Sequence, residues 1–269
     1  MHSLLITGGG LGFIFLMSCL GAATVFFFRK SVPGKFQQMF LGFAAGVMIA
    51  ASVWGLLVPA IETAEALGQI GWIPLAGGFA LGVLFLLGLD HLIPHLHPFS
   101  GIAEGPASKQ KKTTLLVSAV TLHNIPEGMA VGLALALAAQ TGGGLEMYAG
   151  AAALALGIGI QNVPESAAVS LALRQGGASS AKAFALSALS GSVELVFGAL
   201  TVLFAMQIAP VMPWLLAFAA GAMMYVVVEE LIPEAHPEKR ADEMEHSNVG
   251  TLGTMAGFLL MTVLDMALG

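Results

Sequence analysis

The sequence predicts an all-α membrane protein of eight transmembrane helices. Three observations carry that expectation. Only 10% of the 269 residues are charged and 57% are hydrophobic, where a soluble domain has about 25% charged residues. Apolar runs of about 20 residues recur along the chain, each enough to cross a bilayer core of roughly 30 Å. The Lys and Arg residues also fall only in every second connection between those runs.

The spans read as 4–28, 36–61, 72–93, 113–139, 147–173, 182–206, 211–233 and 248–268. The first has no basic stretch before it and no small-residue cleavage pattern after it, so it reads as a retained helix rather than a signal peptide. Pro33-Gly34 separates it from the second, and the stretch Gly68 to Pro74 ends the second before the third. The third leads into a long polar connection, 94–112. Gly142-Gly143-Gly144 joins the fourth to the fifth, Gly176-Gly177 the fifth to the sixth, and Pro210 and Pro213 open the seventh. A second polar connection, 234–247, precedes the eighth.

Basic residues set the direction. Arg29, Lys30 and Lys35 follow the first span, and Lys109, Lys111 and Lys112 follow the third. Arg174 and Lys182 flank the turn after the fifth, while Lys239 and Arg240 follow the seventh. Basic loops stay cytoplasmic, so both termini are expected outside. A net charge of −6 argues against a nucleic-acid partner, and the single Cys19 excludes an internal disulfide. The lipid bilayer is the expected surrounding.

Internal repeats add a class of function. FAAGVM (43–48) in the second span matches FAAGAM (218–223) in the seventh, and those spans run in opposite directions. Inverted repeats are typical of secondary transporters, whose substrate sites lie near the midplane between the repeats. A second pair is longer. HNIPEGMAVGLAL, His123 to Leu135, shares eight of thirteen positions with QNVPESAAVSLAL, Gln161 to Leu173. These lie in the antiparallel fourth and fifth spans.

His123 and Glu127 are one helical turn apart on one face, with Asn124 beside them. Gln161, Asn162 and Glu165 repeat the arrangement. Pro126 and Pro164 have no N–H, so each bends its helix and leaves a carbonyl oxygen without its helical donor. Counted inward from the Gly142–Gly144 turn, Glu127 and Gln161 both lie roughly 20 Å deep at about 1.5 Å per residue. Glu194 falls at the middle of the sixth span. An isolated carboxylate at that depth costs at least about 2.5–3.5 kcal/mol, and no Lys or Arg lies in the interior of a span to neutralise it. Either these groups are protonated or a cation neutralises them. Interhelical hydrogen bonding explains one such residue; three glutamates and a repeated N-x-P-E call for a ligand. Oxygen donors with one imidazole suit Zn²⁺, and also Fe²⁺, Mn²⁺ or Cd²⁺.

At these residues the chain resembles the ZIP (Zrt/Irt-like) family of divalent-metal transporters, and with Gln161-Asn162 where many members have His-Glu it looks more like the bacterial GufA-type branch. His123-Asn124-Ile125-Pro126-Glu127-Gly128 stands as the family's fourth-helix motif, and Gln161-Asn162-Val163-Pro164-Glu165 as the fifth-helix motif. The resemblance covers nearly the whole chain, read as one transmembrane domain over 1–269. It implies a first-metal site of His123, Glu127, Gln161 and Glu165. It implies a second of Asn124 and Asn162, bridged by Glu127, Glu165 and Glu194. Some relatives have Asp where Asn162 stands, so one tightly bound ion and a weaker second are expected. The resemblance further implies a homodimer in a bacterial inner membrane and no catalytic cofactor. Helices one, four, five and six would carry the ion, and two, three, seven and eight would form a scaffold. Alternating access would deliver the metal inward.

Outside the midplane, Glu62, Glu65, Glu146 and Asp265 lie near the outer ends, with Glu62 and Asp265 the stronger candidates for a cation-attracting mouth. At the inner ends DHLIPHLHP (90–98) aligns with EELIPEAHP (229–237). Asp90, His91, Glu229 and Glu230 are candidates for an exit path, with His95, His97, Glu234 and His236 around them. Two other classes compete: an intramembrane metallohydrolase, which would hydrolyse a substrate without ion flux, and a metal-sensing scaffold, which would bind ions and pass none. The hydrolase lacks HExxH, and Ser166 and Ser170 have no histidine beside them in sequence.

Overall fold

The computed structural model describes residues 2–27, 34–92, 95–96, 103–104, 112–140, 148–205, 209–236 and 248–268. They form eight long helices: α1 His2–Ala22, α2 Gly34–Ala66, α3 Trp72–Leu92, α4 Lys112–Gln140, α5 Ala149–Gln175, α6 Ser180–Ala205, α7 Met212–Ala235 and α8 Val249–Leu268. Each coincides with one span read from the sequence, to within a turn or two at either end. Seven are long and apolar enough to cross a membrane. The remaining one, α5, has 27 residues, and Gln161, Asn162 and Glu165 dilute its apolar run. Among the described residues the only strands are His95–Leu96 and Ala103–Glu104, a short antiparallel pair inside the polar connection after α3.

Large apolar side chains such as Leu16, Leu84, Leu203 and Leu259 point outward, as lipid requires. Inside, the contacts are made by small residues, because in lipid helices associate by close packing and not by exclusion of water. The main contacts join α2 to α8, α3 to α7, α4 to α6 and α1 to α5. In each pair the facing residue numbers rise together, so the partners run parallel. A Cβ on Gly46 would strike the backbone of Thr254 and Phe258, and one on Gly257 the backbone of Phe43. The α2–α8 contact therefore exists only because Gly42, Gly46, Gly253 and Gly257 have no side chains. Gly46→Leu is expected to destabilise the protein in detergent by ~3 kcal/mol or more, read by thermal unfolding. Gly88→Leu, where a Cβ meets nothing within 4 Å, is expected to leave the transition unchanged.

Two features were not foreseen. α2 widens into a π-helix over Ala51–Leu57, and α7 does so over Val227–Leu231. Each π segment follows shortly after one copy of the FAAG repeat and just before a proline, Pro59 or Pro233. The two matching stretches thus share an irregularity of backbone as well as letters.

Candidate metal site

α4 runs unbroken through Pro126 and α5 through Pro164. The carbonyls of Leu122 and Ile160 therefore lack their usual donors in mid-helix. α6 reaches these helices at Gly128, where a Cβ would collide with the backbone of Glu194. The glycine that closes the fourth-helix motif is thus what brings the third glutamate alongside the first.

His123, Asn124, Glu127, Gln161, Asn162 and Glu194 are each at most 5% exposed, and Glu165 is half-buried. Gln161 Nε2 donates to Glu127 Oε1 at 2.5 Å. Asn162 Nδ2 donates to Glu194 Oε2 at 2.7 Å, and the Ser18 hydroxyl of α1 lies 3.1 Å from Glu194 Oε1. Asn124 Nδ2 donates to Ser190 Oγ at 3.4 Å, and Thr121 Oγ1 lies 3.0 Å from the same hydroxyl. His123 faces away from α6: its Nε2 is 2.5 Å from Glu230 Oε1 on the π segment of α7. Glu127 lies within electrostatic range of Glu165 and Glu194, and Glu165 within range of His123 and Glu230.

Three acceptor oxygens in this group are buried and receive no hydrogen bond: Glu127 Oε2, Gln161 Oε1 and Asn162 Oδ1. A buried unsatisfied polar atom costs about 1–3 kcal/mol, more if charged. The three, on adjacent helices, lack a hydrogen-bond donor or a positive charge beside them. The described Lys and Arg residues all lie at helix ends and cannot supply it. Among the described residues, no three His, Cys, Asp or Glu side chains close on one point as a finished ligand set. The physical reason is visible in the pairing: amides and a hydroxyl occupy Glu127 and Glu194, and Glu230 holds His123. Amide oxygens would have to supply part of any coordination shell.

Towards the C-terminal ends of α3 and α7, Asp90 is 5% and Glu230 4% exposed, while His91 and Glu229 are exposed. His91 Nδ1 is engaged with the Leu87 carbonyl at 2.8 Å. His236 is a helix latch: Nδ1 meets the Ile232 carbonyl at 3.0 Å and Nε2 meets Thr251 Oγ1 at 3.0 Å. Glu234 is 9% exposed, one turn beyond Glu230. The parallel pair α2–α8 carries exposed Glu62 and part-exposed Asp265 towards the same end. Glu146, His97 and the side chain of His95 lie outside the described residues. Sequence reasoning missed Ser18, Ser190 and Thr121. Their only signal was a small hydroxyl residue in an apolar run, which is common in membrane helices.

This combination defines a class: a polytopic helical membrane protein with a buried centre of carboxylates, amides and one imidazole. The family model described as ZIP Zinc transporter matches residues 103–265. Zinc transporter GufA of Myxococcus xanthus is 41% identical over 254 residues, covering 93% of this chain and 94% of that protein. Human zinc transporter ZIP11 is 35% identical, with 97% of this chain and 96% of the relative covered. Zinc transporter ZIPB of Bordetella bronchiseptica is 37% identical, with 98% and 81% covered. The chain belongs to the ZIP zinc transporter family.

Proposed function

We propose that this protein carries Zn²⁺ across a bacterial inner membrane into the cytoplasm, with Cd²⁺, Fe²⁺ and Mn²⁺ as further substrates. The observation that carries the reading is the set of three orphaned oxygens, Glu127 Oε2, Gln161 Oε1 and Asn162 Oδ1, in a span interior that has no Lys or Arg. A divalent ion supplies the missing charge. His123, Glu127, Gln161 and Glu165 make up its main site, and Asn124, Asn162 and Glu194 a weaker second one. Amide donors bind loosely enough to release what they hold. Glu62 and Asp265 concentrate cations at the outer mouth. Asp90, His91, Glu229 and Glu230 receive them at the inner end.

Both termini face outward in this reading, which the basic connections support. The membrane potential then drives the ion inward by about 2.3 kcal/mol per charge per 100 mV. Helices α1, α4, α5 and α6 move as the carrier against α2, α3, α7 and α8, the latter forming the homodimer contact. The glycine-mediated pairs support this division, since α1–α5 and α4–α6 fall on one side, and α2–α8 and α3–α7 on the other. Membership of the family makes the chain a transporter rather than an enzyme. The hydroxyl of Ser170 is spent on the Ala167 carbonyl.

The test is zinc and cadmium flux into proteoliposomes with an inside-negative potential. His123→Ala is expected to lower flux about tenfold, the effect of losing one charge-assisted contact of ~1.4 kcal/mol. Flux equal to wild type in that variant would remove the imidazole from the site.

A further inference from the structure

The residue α1 contributes to this centre has no role so far. Ser18 is fully buried, and a Cβ on Gly191 would lie 2.8 Å from its own Cβ, so α6 presses directly on it. Its hydroxyl lies 3.1 Å from Glu194 Oε1 and 3.2 Å from the Ile14 carbonyl. It also accepts from Asn162 Nδ2 at 3.0 Å. A serine hydroxyl has one proton. It can donate to the carboxylate or to the carbonyl, not to both. Asn162 meanwhile holds the other carboxylate oxygen, so Glu194 has both oxygens engaged by side chains of the protein.

We propose that Ser18 is a positioning residue of the ion site: its hydroxyl, with the Asn162 amide, clips Glu194 out of the coordination shell. The ion gains Glu194 only when the Ser18 proton turns back to the Ile14 carbonyl. This rests on the metal-transport reading above. The clip makes the site weaker than its donors allow, and thereby faster to empty. Helix α1, which otherwise packs on α4, α5 and α6, becomes a part of the affinity setting.

The experiment measures zinc binding to the purified full chain by equilibrium dialysis in detergent, and zinc flux in proteoliposomes. Removing the donor in Ser18→Ala frees one carboxylate oxygen. Binding is expected to tighten about tenfold, the scale of one hydrogen bond to a charged group, while maximal flux falls. Damage to packing would lower flux without tightening binding. Ser192→Ala, whose hydroxyl bonds only its own helix at the Leu189 carbonyl, is expected to change neither quantity. In a Glu194→Gln background the Ser18→Ala effect on binding is expected to vanish, as for two residues acting through one interaction. Unchanged or weaker zinc binding in Ser18→Ala, or an equal effect in the Glu194→Gln background, overturns the clip. Absence of binding and flux in the wild type overturns the transport reading instead.

Discussion

Glu127→Gln abolishes zinc flux, by at least about 100-fold, and weakens zinc binding by a similar factor, while the metal-free protein unfolds at no lower temperature than wild type. The two halves of that expectation come from the same physics. Glu127 is fully buried, accepts one hydrogen bond from Gln161, and leaves its second oxygen without a donor. Truncating one partner of a buried charged pair costs about 2–5 kcal/mol of binding, enough for the loss of flux. Without the ion, the same charge is a burden, because an unpaired buried charge is costly and a neutral isostere removes that cost. Glutamine keeps the shape and can still accept from Gln161. If Glu127 served only to hold helices together, Glu127→Gln would instead unfold at a lower temperature and keep its flux. Flux assays and thermal unfolding with chelator, on one preparation, separate the two.

Glu230→Gln is expected to lower flux about tenfold or more while binding zinc at least as tightly as wild type. His123 Nε2 sits 2.5 Å from Glu230 Oε1, and one nitrogen cannot serve a carboxylate and an ion at once. Glu230 holds the imidazole, so on the proposed path an ion that binds His123 must take it away. On the proposed path Glu230 would recover the imidazole as the ion leaves, and two further acidic side chains near the ends of α7 and α3, Glu234 and Asp90, are also buried. Weakening that recovery favours the bound state and slows release. Rapid-mixing release from preloaded protein, alongside equilibrium dialysis, reads the two effects. Wild-type release rates in Glu230→Gln would place the inner acidic residues outside the path.

The helices were legible because each is an apolar run closed by glycine, proline or charge, and lipid leaves few other structures open to such runs. The centre was legible for a related reason: a carboxylate in the middle of an apolar run is expensive enough to stand out, and Glu127, Glu165 and Glu194 all do. Ser18 did not stand out, since a serine in a membrane helix costs little and commonly bonds its own backbone. The π segments of α2 and α7 were not read from the sequence: each lies between a FAAG repeat and a proline, but neither of those signals by itself specifies a widened turn. Glu229 and Glu230 were indistinguishable in sequence. Only the backbone decided that one meets solvent or lipid and the other meets His123.

The widened turn that carries those two glutamates has a mechanical implication. A π turn holds one residue more than the α turn it replaces, and that surplus can pass to a neighbouring turn by exchanging hydrogen bonds one at a time, with no melting of the rod. Passing it across Glu229–Glu230 would rotate one acid out of the interior as the next rotates in. Adjacent carboxylates on such a turn amount to a two-tooth pinion, able to hand over charge by rolling where a rigid rod would have to translate.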